Sequence, residues 1–141
     1  MIEVVSDASV AIKWFHGEGE EGVGPARELV GAYRDGRLSL LILDLTPYEV
    51  GNALLRGGAR ASPEQVAIVL DSLAEICPAV APAGQEMRLA LRLAGRHGLT
   101  VYDAAYAAVA RHRGALLATM DAQLLKARLG RLPARLMAEL V

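Results

Sequence analysis

Leu38-Ser39-Leu40-Leu41-Ile42-Leu43 is a nearly continuous apolar run of strand length, and it constrains the fold more than any other stretch of the chain. Similar short apolar runs recur at intervals, each followed by a segment with helical spacing. Ile2-Glu3-Val4-Val5 reads as a buried strand ended by Ser6-Asp7, with a helix over Ala8 to Phe15. Pro25 to Tyr33 reads as a second helix, closed by Asp35-Gly36. Thr46-Pro47 opens a third, which stops at Gly57-Gly58. Ser62-Pro63-Glu64 starts another, with Val66, Val69, Leu70, Leu73 and Ile76 on one face. Pro78 to Val80 is a short strand, Gln85 to His97 a helix capped by Gly98, and Thr100 begins an Ala-rich helix suited to close packing on something flat. Ala115 to Ala118 is a strand and Gln123 to Leu129 a short helix, while Leu136 to Val141 fits either state. Strand and helix signals that alternate in this way predict an α/β fold with a parallel central sheet.

With 141 residues the chain reads as one domain over 1–141. Hydrophobic residues make up 53% and charged residues 22%, which excludes a disordered tail. Aromatics are only 4%, so Leu, Val, Ile and Ala must build the core. No apolar run reaches the roughly 18 residues of a membrane span, and Met1-Ile2-Glu3-Val4 lacks the basic start of a signal peptide. Cys77 stands alone, which fits a reducing cytoplasm and excludes an intrachain disulfide. Three scattered histidines make no zinc site. A net charge of −1 does not by itself indicate a nucleic-acid partner. If Asp7, Glu49, Asp103 and Asp121 are committed to a metal, the remaining charge turns mildly positive.

Each of those four acids has an ordinary explanation at a helix start. Thr46-Pro47-Tyr48-Glu49 matches a capping box with Thr46 as N-cap, and Thr100-Val101-Tyr102-Asp103 is a variant of it. Asp7 and Asp121 follow strands and precede helices, where an aspartate N-cap is favoured. In an open parallel sheet, however, strand ends and the following helix starts share one edge, where such folds bind ligands. Asp103 joins the others only if its helix points its N-terminus at that edge. Two carboxylates about 5 Å apart repel by roughly 3 kcal/mol at an effective dielectric near 20, more than a helix dipole returns. A converged set would therefore need cations or protons. All-oxygen ligands suit Mg2+ or Mn2+, and the chemistry that follows is metal-activated water attacking a phosphodiester.

The stretches Val5-Ser6-Asp7-Ala8-Ser9-Val10, Glu49-Val50-Gly51-Asn52-Ala53-Leu54, Thr100-Val101-Tyr102-Asp103-Ala104-Ala105-Tyr106 and Thr119-Met120-Asp121 resemble PIN-domain ribonucleases, in particular VapC-type toxins of toxin–antitoxin pairs. The four pieces occur in order over nearly the whole chain. The resemblance implies a Rossmann-like sheet of about five mostly parallel strands flanked by helices. It also implies Mg2+- or Mn2+-dependent endoribonuclease activity on single-stranded RNA regions, a VapB-type antitoxin partner and a homodimer. Asp7, Glu49, Asp103 and Asp121 match the family's acidic quartet. Ser9 and Thr119 match its hydroxyl positions, and Asn52 a polar position that braces the site. For these three, helix-end hydrogen bonding competes with direct metal or substrate contact.

Lys13, Arg56 and Arg60 are candidates for RNA or antitoxin contact, weighed against solvated surface positions. Arg111-His112-Arg113 suits a helix C-terminus on electrostatic grounds alone. Trp14-Phe15 reads as core or subunit interface in preference to a base-stacking platform. A phosphoacceptor receiver domain would need an acidic pair near the first strand and a lysine after a late strand, and a haloacid-dehalogenase phosphatase an Asp-x-Asp after strand one. Here the sequence reads Asp7-Ala8-Ser9. Two other readings stay open: a non-catalytic RNA- or protein-binding module on the same scaffold, and a housekeeping RNA-processing nuclease.

Overall fold

The computed structural model describes residues 1–58 and 60–140; Val141, the end of the ambiguous last segment, lies outside them. Four parallel strands form the sheet: β1 (Ile2–Ser6), β2 (Leu38–Leu43), β3 (Ala79–Val80) and β4 (Leu116–Ala118), in the order β3-β2-β1-β4. Alternate residues of each strand enter different cores. Val4, Leu40, Ile42 and Ala118 face one hydrophobic cluster, whereas Val5, Leu41, Leu43 and Leu117 face the other. Both faces of β2 are covered, which is why its sequence shows no polar alternation.

Helices α1 (Ala8–Ala11), α2 (Val23–Arg34), α3 (Thr46–Arg56) and α4 (Pro63–Ile76) supply the first cluster, with Leu136 from α8 (Pro133–Glu139). Helices α5 (Gly84–His97) and α6 (Val101–Arg113) supply the second, with Leu124 from α7 (Ala122–Lys126). In α6 every residue from Ala104 to Ala110 is buried. Small side chains there let the helix lie close on the sheet, as its composition predicted.

The sequence reading needs correction at four places. Among the described residues the sheet has four strands where about five were expected; beyond β4 there is one parallel bridge between Ala118 and Arg131, and Leu136 to Glu139 of the ambiguous last segment lie in helix α8. The following chain enters α8 at Pro133, whose fixed φ suits a first helical turn and whose nitrogen offers no ladder donor. The helix expected over Ala8 to Phe15 is one α-turn followed by a 3-10 turn at Ile12–Trp14, and the one expected at Gln123–Leu129 ends at Lys126. Thr46 is not an N-cap: Leu45 holds that position, and the Thr46 hydroxyl is drawn into the core.

Strand order places the site. From β1 the chain moves outward to β2 and β3, then returns through α5 and α6 to add β4 on the other side of β1. The connections diverge between β1 and β4, and the crevice above that point is where open α/β sheets bind ligands. Asp7 directly follows β1, and Asp121 lies just beyond β4.

Candidate active site

Asp7 is fixed before any ligand arrives. Its backbone N–H donates to the Ala118 carbonyl at 3.2 Å, stitching the two strand ends together. Its Oδ1 accepts from the Ser9 hydroxyl at 2.6 Å and from the Val10 amide at 3.2 Å, so it is the N-cap of α1. Its Oδ2 accepts from the Thr119 hydroxyl. Ser9 Oγ accepts in turn from the Met120 amide at 2.8 Å, and Thr119 Oγ1 from the Asp121 amide at 2.9 Å. The two hydroxyls are thus cross-braces between the β1–α1 and β4–α7 turns. Gly130 makes room for one of them, since a Cβ there would stand 2.5 Å from Thr119 Cγ2. Burial pushes the Asp7 carboxyl up to about 6; the hydrogen bonds from Ser9, Thr119 and Val10 oppose that rise, and the Glu49 charge adds to it.

Glu49 lies in the first turn of α3 and does not reach back to its own helix start. Its Oε1 accepts from the Tyr106 hydroxyl at 2.6 Å. Tyr106 and Thr46 hydroxyls are 2.7 Å apart, and Thr46 Oγ1 accepts from the Leu43 amide at 3.1 Å. A proton order that satisfies every oxygen runs from the Leu43 amide through Thr46 and Tyr106 to Glu49. This chain ties the acid to the end of β2. Burial raises the Glu49 pKa despite the bond from Tyr106, and the charge of Asp103 raises it further. Burial beneath a carboxylate likewise keeps the Tyr106 hydroxyl protonated well beyond a phenol's ordinary range.

Asp103 sits in the first turn of α6, whose N-cap Thr100 accepts from the Asp103 amide at 3.1 Å. Its pKa is raised by burial and then by the charge of Asp121. Asp121 caps α7, with Oδ1 accepting from the Gln123 and Leu124 amides at 2.9 and 3.1 Å. Like charge therefore links Asp7 to Glu49, Glu49 to Asp103, and Asp103 to Asp121. The Tyr106–Glu49 bond joins α6 to the start of α3, and the charge of Asp121 acts on Asp103 in the first turn of α6.

The remaining candidates are placed differently. Asn52 is exposed, and the bracing of Glu49 falls to Tyr106 and Thr46. Lys13 donates to Glu20 at 2.6 Å. Arg56 is exposed and lies seven residues beyond Glu49, about 10 Å along α3. Arg60, also exposed, has a positive φ of 44° in the turn after that helix. Trp14 is buried, its indole donating to the Ala26 carbonyl at 2.9 Å. His112 and Arg113 both contact Glu86, each at 3.0 Å. Tyr106 carried a sequence signal of its own: it stands between two pairs of alanines in α6, three residues after Asp103 and so on the same face.

Among the described residues, no group of three His, Cys, Asp or Glu side chains is close enough to enclose a metal ion. The donor chemistry still fits Mg2+ or Mn2+, because these ions keep several waters and take only one or two carboxylates directly. Asp7 uses about three of the four acceptor positions of its carboxylate, leaving one on Oδ2. Both amide contacts of Asp121 fall on Oδ1, so its Oδ2 also remains for a ligand.

A family profile described as PIN domain matches residues 4–129. The chain belongs to the PIN-domain family. Among curated relatives, Ribonuclease VapC3 of Pyrobaculum aerophilum is 40% identical over 86 residues, which cover 58% of this chain and 66% of that protein. Exonuclease VapC9 of the same organism is 39% identical over 95 residues, covering 63% of this chain and 67% of that one. The crystal structure of PAE2754 from Pyrobaculum aerophilum superposes with a TM-score of 0.69 at 26% identity, covering 99% of this chain and 96% of the other. Mycobacterium tuberculosis VapC20, described as a Sarcin-Ricin loop cleaving toxin, superposes at 0.68 with 17% identity over 88% and 94% of the two chains, a likeness of fold.

Proposed function

We propose that this PIN domain is a metal-dependent endoribonuclease of the VapC toxin type, hydrolysing phosphodiester bonds in single-stranded RNA. One observation supports it above the others: Asp7, at the end of β1, is held by Ser9 and Thr119 beside the β4–α7 turn that carries Asp121, and Tyr106 of α6 holds Glu49 of α3, so all four acids stand at helix starts, three of them with raised pKa values. Burial first, and like charge second, make the ionised forms costly, and bound cations or protons offset that cost. Asp7, Asp103, Asp121 and Glu49 would hold Mg2+ or Mn2+ between them. The bound ion supplies a water activated at neutral pH and charge to stabilise the leaving oxygen.

The chain's own residues set the geometry for this. Ser9 and Thr119 clamp both oxygens of Asp7, so that carboxylate needs no reorganisation when an ion arrives. Tyr106 turns Glu49 toward the crevice and, remaining protonated, can only donate to it. The VapC names of two relatives at 39–40% identity favour the toxin setting, and with it a VapB-type antitoxin, a homodimer and a cytoplasmic location. A small adjacent reading frame encoding a DNA-binding protein would support that pairing; without one, a housekeeping RNA-processing role takes precedence.

One relative is named an exonuclease, so the test must separate the two modes of cleavage. Linear and circular single-stranded RNA are incubated with Mg2+ or Mn2+, with EDTA, and with the Asp7→Asn and Asp103→Asn variants. The expected result is cleavage of both substrates, abolished by EDTA and reduced at least about a hundredfold by either substitution. Cleavage confined to linear RNA would assign exonuclease activity. Cleavage that survives EDTA or both substitutions would overturn the metal site.

A further inference from the structure

Two of the four tyrosines are out in solvent beside the acids. Tyr48 is 81% exposed and Tyr102 67%, whereas Tyr106 is 1% exposed. Each exposed ring immediately precedes a site acid in the first turn of its helix: Tyr48 before Glu49 on α3, Tyr102 before Asp103 on α6. Consecutive helical side chains diverge by about 100°, so a ring one residue from an inward-facing carboxylate stands off the crevice on its rim. Tyr106, one turn after Tyr102 on α6, donates to Glu49 Oε1 at 2.6 Å and lies 2.7 Å from the Thr46 hydroxyl, so the starts of α3 and α6 are held together. The two rings therefore flank one acidic crevice, carried on different helices.

A crevice of this charge repels the phosphates of its proposed substrate. Nearby cations give limited help, since Lys13 is paired with Glu20 and Arg27 with Glu18. An uncharged grip on the bases avoids that conflict. Every nucleobase offers a π-face, and unpaired bases can turn onto an aromatic ring where stacked duplex bases cannot. We propose that Tyr48 and Tyr102 stack on the unpaired nucleobases either side of the scissile phosphate, making them positioning residues that select single-stranded RNA. The inference rests on the ribonuclease reading above and adds to it the substrate feature that is recognised.

The test pairs protein variants with altered RNA. Tyr48→Ala, Tyr102→Ala and the two Tyr→Trp variants are assayed in Mg2+ on a single-stranded oligonucleotide and on one made abasic at the positions flanking the cut. Each alanine variant is expected to raise KM about tenfold with kcat within about twofold, and tryptophan to restore it. Abasic RNA should cost the wild type a similar factor and leave the double alanine variant indifferent. Alanine variants that match the wild type, or a loss confined to kcat, overturn stacking while the nuclease reading stands. If the wild type cleaves nothing, oligonucleotide binding by fluorescence anisotropy decides. Binding lost in the alanine variants keeps the stacking role and removes the hydrolytic one, and no binding at all removes both. A dimer that falls apart in the alanine variants with RNA parameters unchanged assigns the rings to a subunit interface, and the proposal fails.

Discussion

Asp7 shows the opposing demands of stability and chemistry at one carboxyl. Its hydrogen bonds favour the charged form, yet burial wins and lifts its pKa to about 6. An acid whose folded pKa exceeds its unfolded value contributes most when protonated, at low pH, and loses that contribution as pH rises through 6. Near neutrality the ionised carboxylate burdens the metal-free fold by at most about 3 kcal/mol. Asp7→Asn is therefore expected to stabilise the EDTA-treated protein at pH 7.5 by about 1–3 kcal/mol in urea unfolding, while abolishing cleavage. The gain should vanish by pH 4, where the wild-type carboxyl is itself neutral. A loss of stability at pH 7.5 would mean that the hydrogen bonds outweigh the burial.

Helix α6 has a different electrostatic device at each end. At its N-terminus Asp103 joins the acids; at its C-terminus His112 and Arg113 meet Glu86 from the first turn of α5. Glu86 is 1% exposed and also accepts from the Ala83 amide at 2.8 Å, so it caps its own helix while clamping the next. The Arg113 guanidinium leads in holding its pKa down at about 2. For an acid with a lowered folded pKa the contribution is present above the unfolded value and disappears as pH falls toward 2. Glu86→Gln should cost about 3 kcal/mol at pH 7 and progressively less in acid, measured by urea unfolding at several pH values. Such a clamp keeps the α6 N-terminus aimed at the crevice. What the sequence disclosed divides along the same line. The apolar run of β2, the alanines of α6 and the capping aspartates at 7 and 121 are local patterns, and all were legible. Thr46 misled because its apparent capping box is overridden by Tyr106, sixty residues away. The orientation of Asp103 was hidden for the same reason, being set by how α5 and α6 pack together. The lost fifth strand leaves only a single bridge, which carries no periodicity to read.

For the molecule as a whole, repulsion within the crevice makes folding and ion binding interdependent. If Mg2+ or Mn2+ binds the folded chain as proposed, millimolar additions should raise Tm by several degrees at pH 7.5 and EDTA should reverse the gain. Protons compete for the same oxygens, so the increment should shrink as pH falls through about 6, where Asp7 takes up its proton. Thermal melts across a metal and pH grid measure it; an increment that does not vary with pH would place the ion elsewhere. The outer margin of the sheet has a consequence of another kind. β4 is only three residues long, and the Ala118–Arg131 bridge lies against its outer side. Arg128, Arg131 and Arg135 line the cleft beside it. A margin that short, lined by charged side chains among which Arg131 and Arg135 pair with Glu139, is a poor template for a neighbouring molecule's backbone. Strand addition from another molecule is therefore disfavoured at this edge of the sheet.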